Sequence, residues 1–194
     1  MSENIVRHAG EVTQADRQMV TGGRGSTVLL TGLSGSGKST IAFAVEATLI
    51  EGGRAAYVLD GDNLRFGLNA DLGFSAEDRA ENVRRVTEVA RLMADAGLIA
   101  LVPIIAPYAA DRDKARRRHE DSGVDYLEVF VDTPLEVCEE RDPKGLYARA
   151  RAGEIKGMTG VDDPYERPTD PDLSIDGTAT DVDAAVADIL RALD

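Results

Sequence analysis

The sequence predicts an α/β domain, a parallel sheet covered by helices on both faces, and three observations carry that prediction. Short runs that are almost continuously apolar alternate with longer segments whose apolar residues recur at helical spacing; such strands are buried on both faces. The octet Gly32-Leu33-Ser34-Gly35-Ser36-Gly37-Lys38-Ser39 fits G-x-x-x-x-G-K-[ST] and lies between one apolar run and one periodic segment, the context a phosphate-binding loop requires. No period of about 20 to 50 residues recurs, which excludes a repeat array. The predicted architecture is the P-loop NTPase-type three-layer sandwich, with its ligand crevice at the C-terminal ends of the strands.

Residues 1–25 have no strong period and read as an N-terminal arm, although Thr13-Gln14-Ala15-Asp16 has the form of a helix start. Residues 26–194 read as one domain. Ser26 to Thr31 is its first strand, and Ile41, Val45 and Leu49, flanked by Ala44 and Thr48, form the stripe of the helix after the loop. Gly52-Gly53 closes that helix, and Ala55 to Leu59 reads as a second buried strand running into Asp60-Gly61-Asp62. Residues 63–76 are loop or short helix; Ser75, with Asp78 three positions on, then starts a long helix striped by Val83, Val86, Val89, Ala90 and Met93. Gly97 ends it. Leu98 to Ile105 is the most apolar run, hence a central strand, broken by Pro107.

A charged helix is expected at about 111–121, with Arg112, Lys114 and Arg116 to Arg118 on a solvated face. Tyr126 to Val131 is the next strand. Thr133-Pro134-Leu135-Glu136 combines an N-cap, a proline in the first turn and an acid at the capping-box position. Gly153 to Pro171 is rich in glycine and proline without a period and reads as a long functional loop. A short strand at Pro171 to Ile175 and a helix striped by Val182, Ala185, Val186, Ile189, Leu190 and Leu193 finish a domain that reads as complete.

Composition narrows the partners. The chain has 22 Lys plus Arg against 35 Asp plus Glu, a net charge of −13, which repels nucleic acids and acidic membrane surfaces; an anionic small ligand needs basic residues gathered locally. The lone Cys138 cannot form an internal disulfide and reads as a small core-facing helix residue, and neither a signal pattern nor a membrane-length apolar run is present. A cytoplasmic setting is expected.

In the loop, backbone N–H groups from Gly32 to Thr40 would cradle phosphates, with Lys38 reaching the outer ones and the Ser39 hydroxyl suited to Mg²⁺. No Asn-Lys-x-Asp tetrad of a GTPase occurs, and Ala106 stands where a motor ATPase would place acids. A small-molecule kinase fits better. It needs a group to orient the acceptor hydroxyl, and Asp60 and Asp62 are placed for this; helix N-capping is the competing role, weighed more heavily for Asp62.

Longer motifs then become recognisable. Asp60-Gly61-Asp62-Asn63-Leu64-Arg65, Gly67-Leu68-Asn69, Asp71-Leu72-Gly73-Phe74-Ser75, Asp78-Arg79, Glu81-Asn82, Arg84-Arg85, the run from Phe130 to Cys138, and Arg141-Asp142-Pro143-Lys144-Gly145-Leu146-Tyr147 through Gly157 closely resemble the adenylylsulfate kinase family over about residues 25–176. The resemblance implies transfer of the γ-phosphoryl group of MgATP to the 3′-hydroxyl of adenosine 5′-phosphosulfate (APS), giving 3′-phosphoadenosine 5′-phosphosulfate (PAPS) and ADP in sulfate activation. It implies catalytic roles for Lys38, Asp60, Asp62 and Lys156, with Asp60 also reaching the metal through water. Arg141 would lie on the ATP adenine. Arg65, Arg79 and Asn82 would hold the phosphosulfate, Phe74 and Met158 the base, and Ile105 would add backbone contact, while a lid at about 153–163 would bring Lys156 over the phosphates. A homodimer and an association with ATP sulfurylase are also implied. The chain departs from the pattern twice: Met158 replaces a usual Phe, and Ala106 replaces a Ser that has been taken for a phosphoenzyme site. Alanine cannot carry phosphate, so direct in-line transfer is expected.

Overall fold

A computed structural model describes Val6, His8 and residues 10–194. In chain order the elements are α1 (Gln14–Thr21), β1 (Ser26–Thr31), α2 (Lys38–Glu51), β2 (Ala56–Val58), α3 (Gly61–Leu64), α4 (Ala76–Asp95), β3 (Ile99–Pro103), α5 (Ala109–Glu120), β4 (Asp125–Asp132), α6 (Leu135–Arg141), α7 (Leu146–Arg151), β5 (Leu173–Asp176) and α8 (Val182–Leu193). The five strands form one parallel sheet in the order β2-β3-β1-β4-β5. β1 lies at its centre, with Ser26 opposite both Ile99 and Asp125. The phosphate loop therefore opens where β1 parts its two neighbours, the topological switch point of such a sheet.

The two-residue period of β1 divides the core. Val28 and Leu30 face one side, packing with Ile41, Val45 and Leu49 of α2 and with Val186 and Ile189 of α8. Leu29 faces the other, packing with Val102 of β3 and Val83, Val86 and Ala90 of α4. Both helical layers are thus fixed by alternate residues of the strand that feeds the loop. Ser75 caps α4 by accepting from the Asp78 amide, as the sequence predicts. The Thr13–Asp16 capping box starts α1, which rests on the end of α4 through Arg17 Nη2 to Asp95 Oδ2 at 2.5 Å. Gly97 turns out of α4 at φ 95°, and a Cβ there would meet Thr21 Oγ1 at 1.9 Å.

Several expectations change. β2 is an edge strand of three residues rather than a buried one, and Tyr57 is 54% exposed; with a neighbour on one side only, its outer edge is left unpaired. β3 ends at Pro103 rather than at Ile105; proline has no N–H to give the ladder, and a single further bond to β1, from the Ile104 amide to the Leu30 carbonyl at 3.2 Å, follows it. α5 is not solvated throughout: Arg112 is 2% exposed, with Nε 3.0 Å from Glu128 Oε1, and His119 is buried. Thr133 does not cap α6; Pro134 holds the cap position and the Thr133 hydroxyl bonds elsewhere. Val182, first of the closing stripe, is 36% exposed. α7 was not anticipated, since six residues are too few to display a helical period. Among the described residues no helix is long and apolar enough to cross a membrane.

Candidate active site

A cleft of about 900 Å³ opens along the C-terminal ends of the strands, with Ser34 to Ile41 on one wall and Arg65, Phe74, Arg79, Asn82 and Ile104 to Pro107 on the other. Gly32 and Leu33 lie behind the first wall. Gly32 is in an extended positive-φ conformation, and a Cβ there would meet the Val131 carbonyl oxygen at 2.6 Å, so β1 can pass β4 into the loop only with glycine. The loop is braced from outside: Thr133 Oγ1 donates to the Ser36 carbonyl at 3.0 Å and Tyr147 Oη to the Ser34 carbonyl at 3.0 Å.

Lys38 opens α2 and is buried. Its Nζ donates to the carbonyls of Gly32 at 2.9 Å and Leu33 at 2.6 Å and to Ser36 Oγ at 3.3 Å. Burial pushes its pKa down to about 8, with the charge of Lys144 adding to that effect and Asp62 and Asp60 opposing it. Ser39 Oγ donates to Asp60 Oδ2 at 2.9 Å, and Asp60 Oδ1 accepts from the amides of Asp62 and Asn63, each at 3.1 Å. The cap of α3 is therefore Asp60 and not Asp62, and its second oxygen remains turned to the loop. A hydroxyl and a carboxylate in contact offer the hard oxygen donors that Mg²⁺ takes when phosphates and water complete its shell. Among the described residues no cluster of three or more His, Cys, Asp or Glu side chains exists that could hold a metal by itself.

The opposite wall is built from the start of α4 and the loop before it. Arg65 Nη1 donates to the carbonyls of Leu72 at 3.0 Å and Gly73 at 3.1 Å, and its guanidinium lies 4.1 Å from the centre of the Phe74 ring. Phe74 is 63% exposed. Arg79 donates through Nε to the Phe74 carbonyl at 3.0 Å and through Nη2 to the Gly157 carbonyl at 2.5 Å, with Asp163 Oδ2 3.7 Å away. Asn82 Oδ1 accepts from Asn69 Nδ2 at 2.9 Å, which leaves the Asn82 amide nitrogen free for the cleft. Arg141 donates to the Gly177 carbonyl at 2.8 Å and also lines the cleft.

The structure gathers Lys38, Ser39, Thr40, Asp60, Asp62, Arg65, Phe74, Arg79, Asn82, Ile105, Ala106, Arg141 and Met158 around this one cleft. It does not bring Lys156 there. Asp162 accepts from the amides of Gly157 at 2.8 Å and Met158 at 2.6 Å, a turn that buries Met158 against Cys138 and Tyr147 and leaves Lys156 exposed. Cys138 faces the core as expected, and burial raises its thiol pKa. Three residues have roles at the site that their sequence context does not announce. Lys144 forms an ion pair with Asp62 across the mouth of the cleft; Thr133 braces the loop; Asn69, fully buried, orients Asn82. The first is a cation three residues after α6; it stands in the motif that starts at Arg141, but nothing in the sequence assigns it the pairing with Asp62. Asn69 likewise stands in a recognised motif, but no sequence signal marks it as buried or as the partner of Asn82.

A phosphate loop facing a second, cation-rich wall across one crevice, with a carboxylate where the walls meet, defines a small-molecule kinase of the P-loop class, an ATP-dependent phosphotransferase. Within that class, the family model for adenylylsulphate kinase matches residues 24–176, and the chain belongs to this family. It is 61% identical over 174 residues to the bifunctional enzyme CysN/CysC of Mycobacterium tuberculosis, covering 90% of this chain but 28% of that protein. It is 55% identical over 192 residues to the adenylyl-sulfate kinase of Lactiplantibacillus plantarum, covering 99% of this chain and 92% of the relative. The solved structure of the M. tuberculosis APS kinase CysC in complex with AMPPNP and APS superposes with a TM-score of 0.85 at 58% identity, covering 88% of this chain and 98% of that one.

Proposed function

We propose that this chain moves the γ-phosphoryl group of ATP directly to the 3′-hydroxyl of APS, giving PAPS and ADP for sulfate assimilation. The observation that carries the reading is the 2.9 Å contact of Ser39 with Asp60: the donor loop and the acceptor wall meet at a hydroxyl and a carboxylate, so the phosphoryl group and its acceptor are held at one point. Lys38 exchanges its loop carbonyls for the β- and γ-phosphates. Asp60 orients the attacking hydroxyl, and Asp62 with Lys144 closes the mouth. Arg65 and Arg79 hold the phosphosulfate with forked donors, which suit tetrahedral oxyanions better than an ammonium does. The Asn82 amide adds a donor; Phe74 and Met158 pack on the acceptor adenine, and Arg141 on that of ATP. Ser39 and Asp60 would hold Mg²⁺, which supplies charge neutralisation across the phosphates when bound. Swinging of the 153–163 lid would bring Lys156 inward and exclude water.

Ala106 lines the cleft without a hydroxyl, and phosphoryl transfer of this kind needs positioning and charge, not a covalent relay. A coupled assay with APS and MgATP should form PAPS, and γ-labelled ATP should leave no acid-stable label on the protein. Ala106→Ser should raise turnover by no more than about twofold; a gain of orders of magnitude would show that a serine relay had been lost. We also infer a homodimer that works beside ATP sulfurylase, the enzyme whose product it consumes; sedimentation and co-purification test these two points.

A further inference from the structure

Among the described residues Ala106 is the one non-glycine whose φ, 44°, falls in the left-handed range. An L-residue held there is strained, and such strain persists only where the surroundings enforce it. The enforcement is visible. Three consecutive carbonyls of this wall each accept a hydrogen bond from a different element. Thr31 Oγ1 of β1 donates to Ile105 at 2.6 Å, Arg112 Nη1 of α5 to Ala106 at 2.8 Å, and the Glu166 amide, beyond the lid, to Pro107 at 2.8 Å. Arg112 is the hub. Its Nη2 donates to the Glu166 carbonyl at 2.8 Å and its Nε to Glu128 Oε1 at 3.0 Å, so one guanidinium joins the wall, the segment after the lid and β4.

We propose that Arg112 is a positioning residue for the acceptor: it holds Ala106 left-handed and thereby fixes the Ile105–Pro107 wall, while buried Glu128 anchors its guanidinium in the core. A buried ion pair is a poor source of stability compared with apolar side chains of the same size. Here five donors set in a rigid fork reach three partners that no apolar group could hold. The role in acceptor binding rests on the function proposed above; the clamp on Ala106 does not.

The test is a double-mutant cycle of Arg112→Lys and Ala106→Gly, because glycine takes the left-handed conformation without strain and so needs no clamp. In the ligand-free proteins, Arg112→Lys should lower the melting temperature less when residue 106 is glycine. In steady-state kinetics it should raise the KM for APS about tenfold with the KM for ATP within about twofold, and glycine at 106 should shrink that rise. Additive melting shifts would overturn the clamp. Coupled melting shifts with equal changes in both KM values would overturn the link to the acceptor. If Arg112→Lys does not fold, Glu128→Gln, which keeps a hydrogen-bond acceptor but removes the counter-charge, is put through the same cycle with the same readings. A parent protein that makes no PAPS from APS would instead refute the functional reading, and the melting cycle would still decide the clamp.

Discussion

The two walls of the cleft hold their working groups in different ways. On the donor side the chemistry is backbone: Lys38 is enclosed by carbonyls of its own loop, and that loop is braced by Thr133 and Tyr147. On the acceptor side the working groups are long side chains, and their ties run to distant segments, Arg79 to Gly157 at the lid and Asn82 to Asn69. The first wall is a finished mould. The second is assembled from parts that loosen separately. Damage to the donor wall should therefore appear in turnover, and damage to the acceptor wall in the Michaelis constant of one substrate.

The largest expected effect is that of Lys38→Ala, which should lower kcat/KM by about a thousandfold or more, since it removes the cation facing the charge that develops on the transferring group. Asp60→Asn comes next. It keeps an oxygen to cap α3, so the melting temperature should stay near that of the parent while kcat falls about a hundredfold; an equal loss from a collapsed fold would show that the carboxylate is only a cap. Arg79→Ala should raise the KM for APS about 10- to 100-fold with a smaller change in kcat, and should expose the 153–163 lid to proteolysis. Its signature is the contrast with Lys38→Ala, and a drop in kcat alone would erase the distinction between the walls. The smallest effect is that of pH. Lys38 in the empty protein titrates near 8, and nucleotide binds its ammonium form. Nucleotide affinity should be level below that pH and fall by at most about tenfold per unit above it. Calorimetry in two buffers should show proton uptake on binding at pH 9 and little at pH 7.

The donor wall was legible in the sequence because its requirements are local. Glycines and a lysine at fixed spacing, after a strand and before a helix, specify the loop without reference to the rest of the chain. The sheet was legible for a similar reason, since strands buried on both faces read as unbroken apolar runs. Tertiary placement was not. β2 has the composition of a buried strand and is an edge, a matter of strand order that no local pattern records. Arg112 and His119 look like members of a charged surface helix, and only the fold supplies Glu128 and Thr27 as their buried partners. Thr133 has the position of a cap, but its hydroxyl is spent on the loop. Among the site residues, Lys156 belongs to a long motif as Arg65 and Arg79 do, yet it stays out of the cleft because the place of its segment depends on a turn closed by Asp162.

The three oxygens around Lys38 have a further consequence. A buried ammonium without partners would deform the loop or lose its proton, and a loop without its ammonium would turn carbonyls toward one another. Each protects the other, so under the proposed function the lysine serves as a placeholder for the nucleotide phosphates. On that reading entry of ATP would be an exchange of one set of oxygens for another, with little folding left to do. Such a site is ready at every encounter, and its occupancy follows the supply of nucleotide instead of the time a loop takes to form.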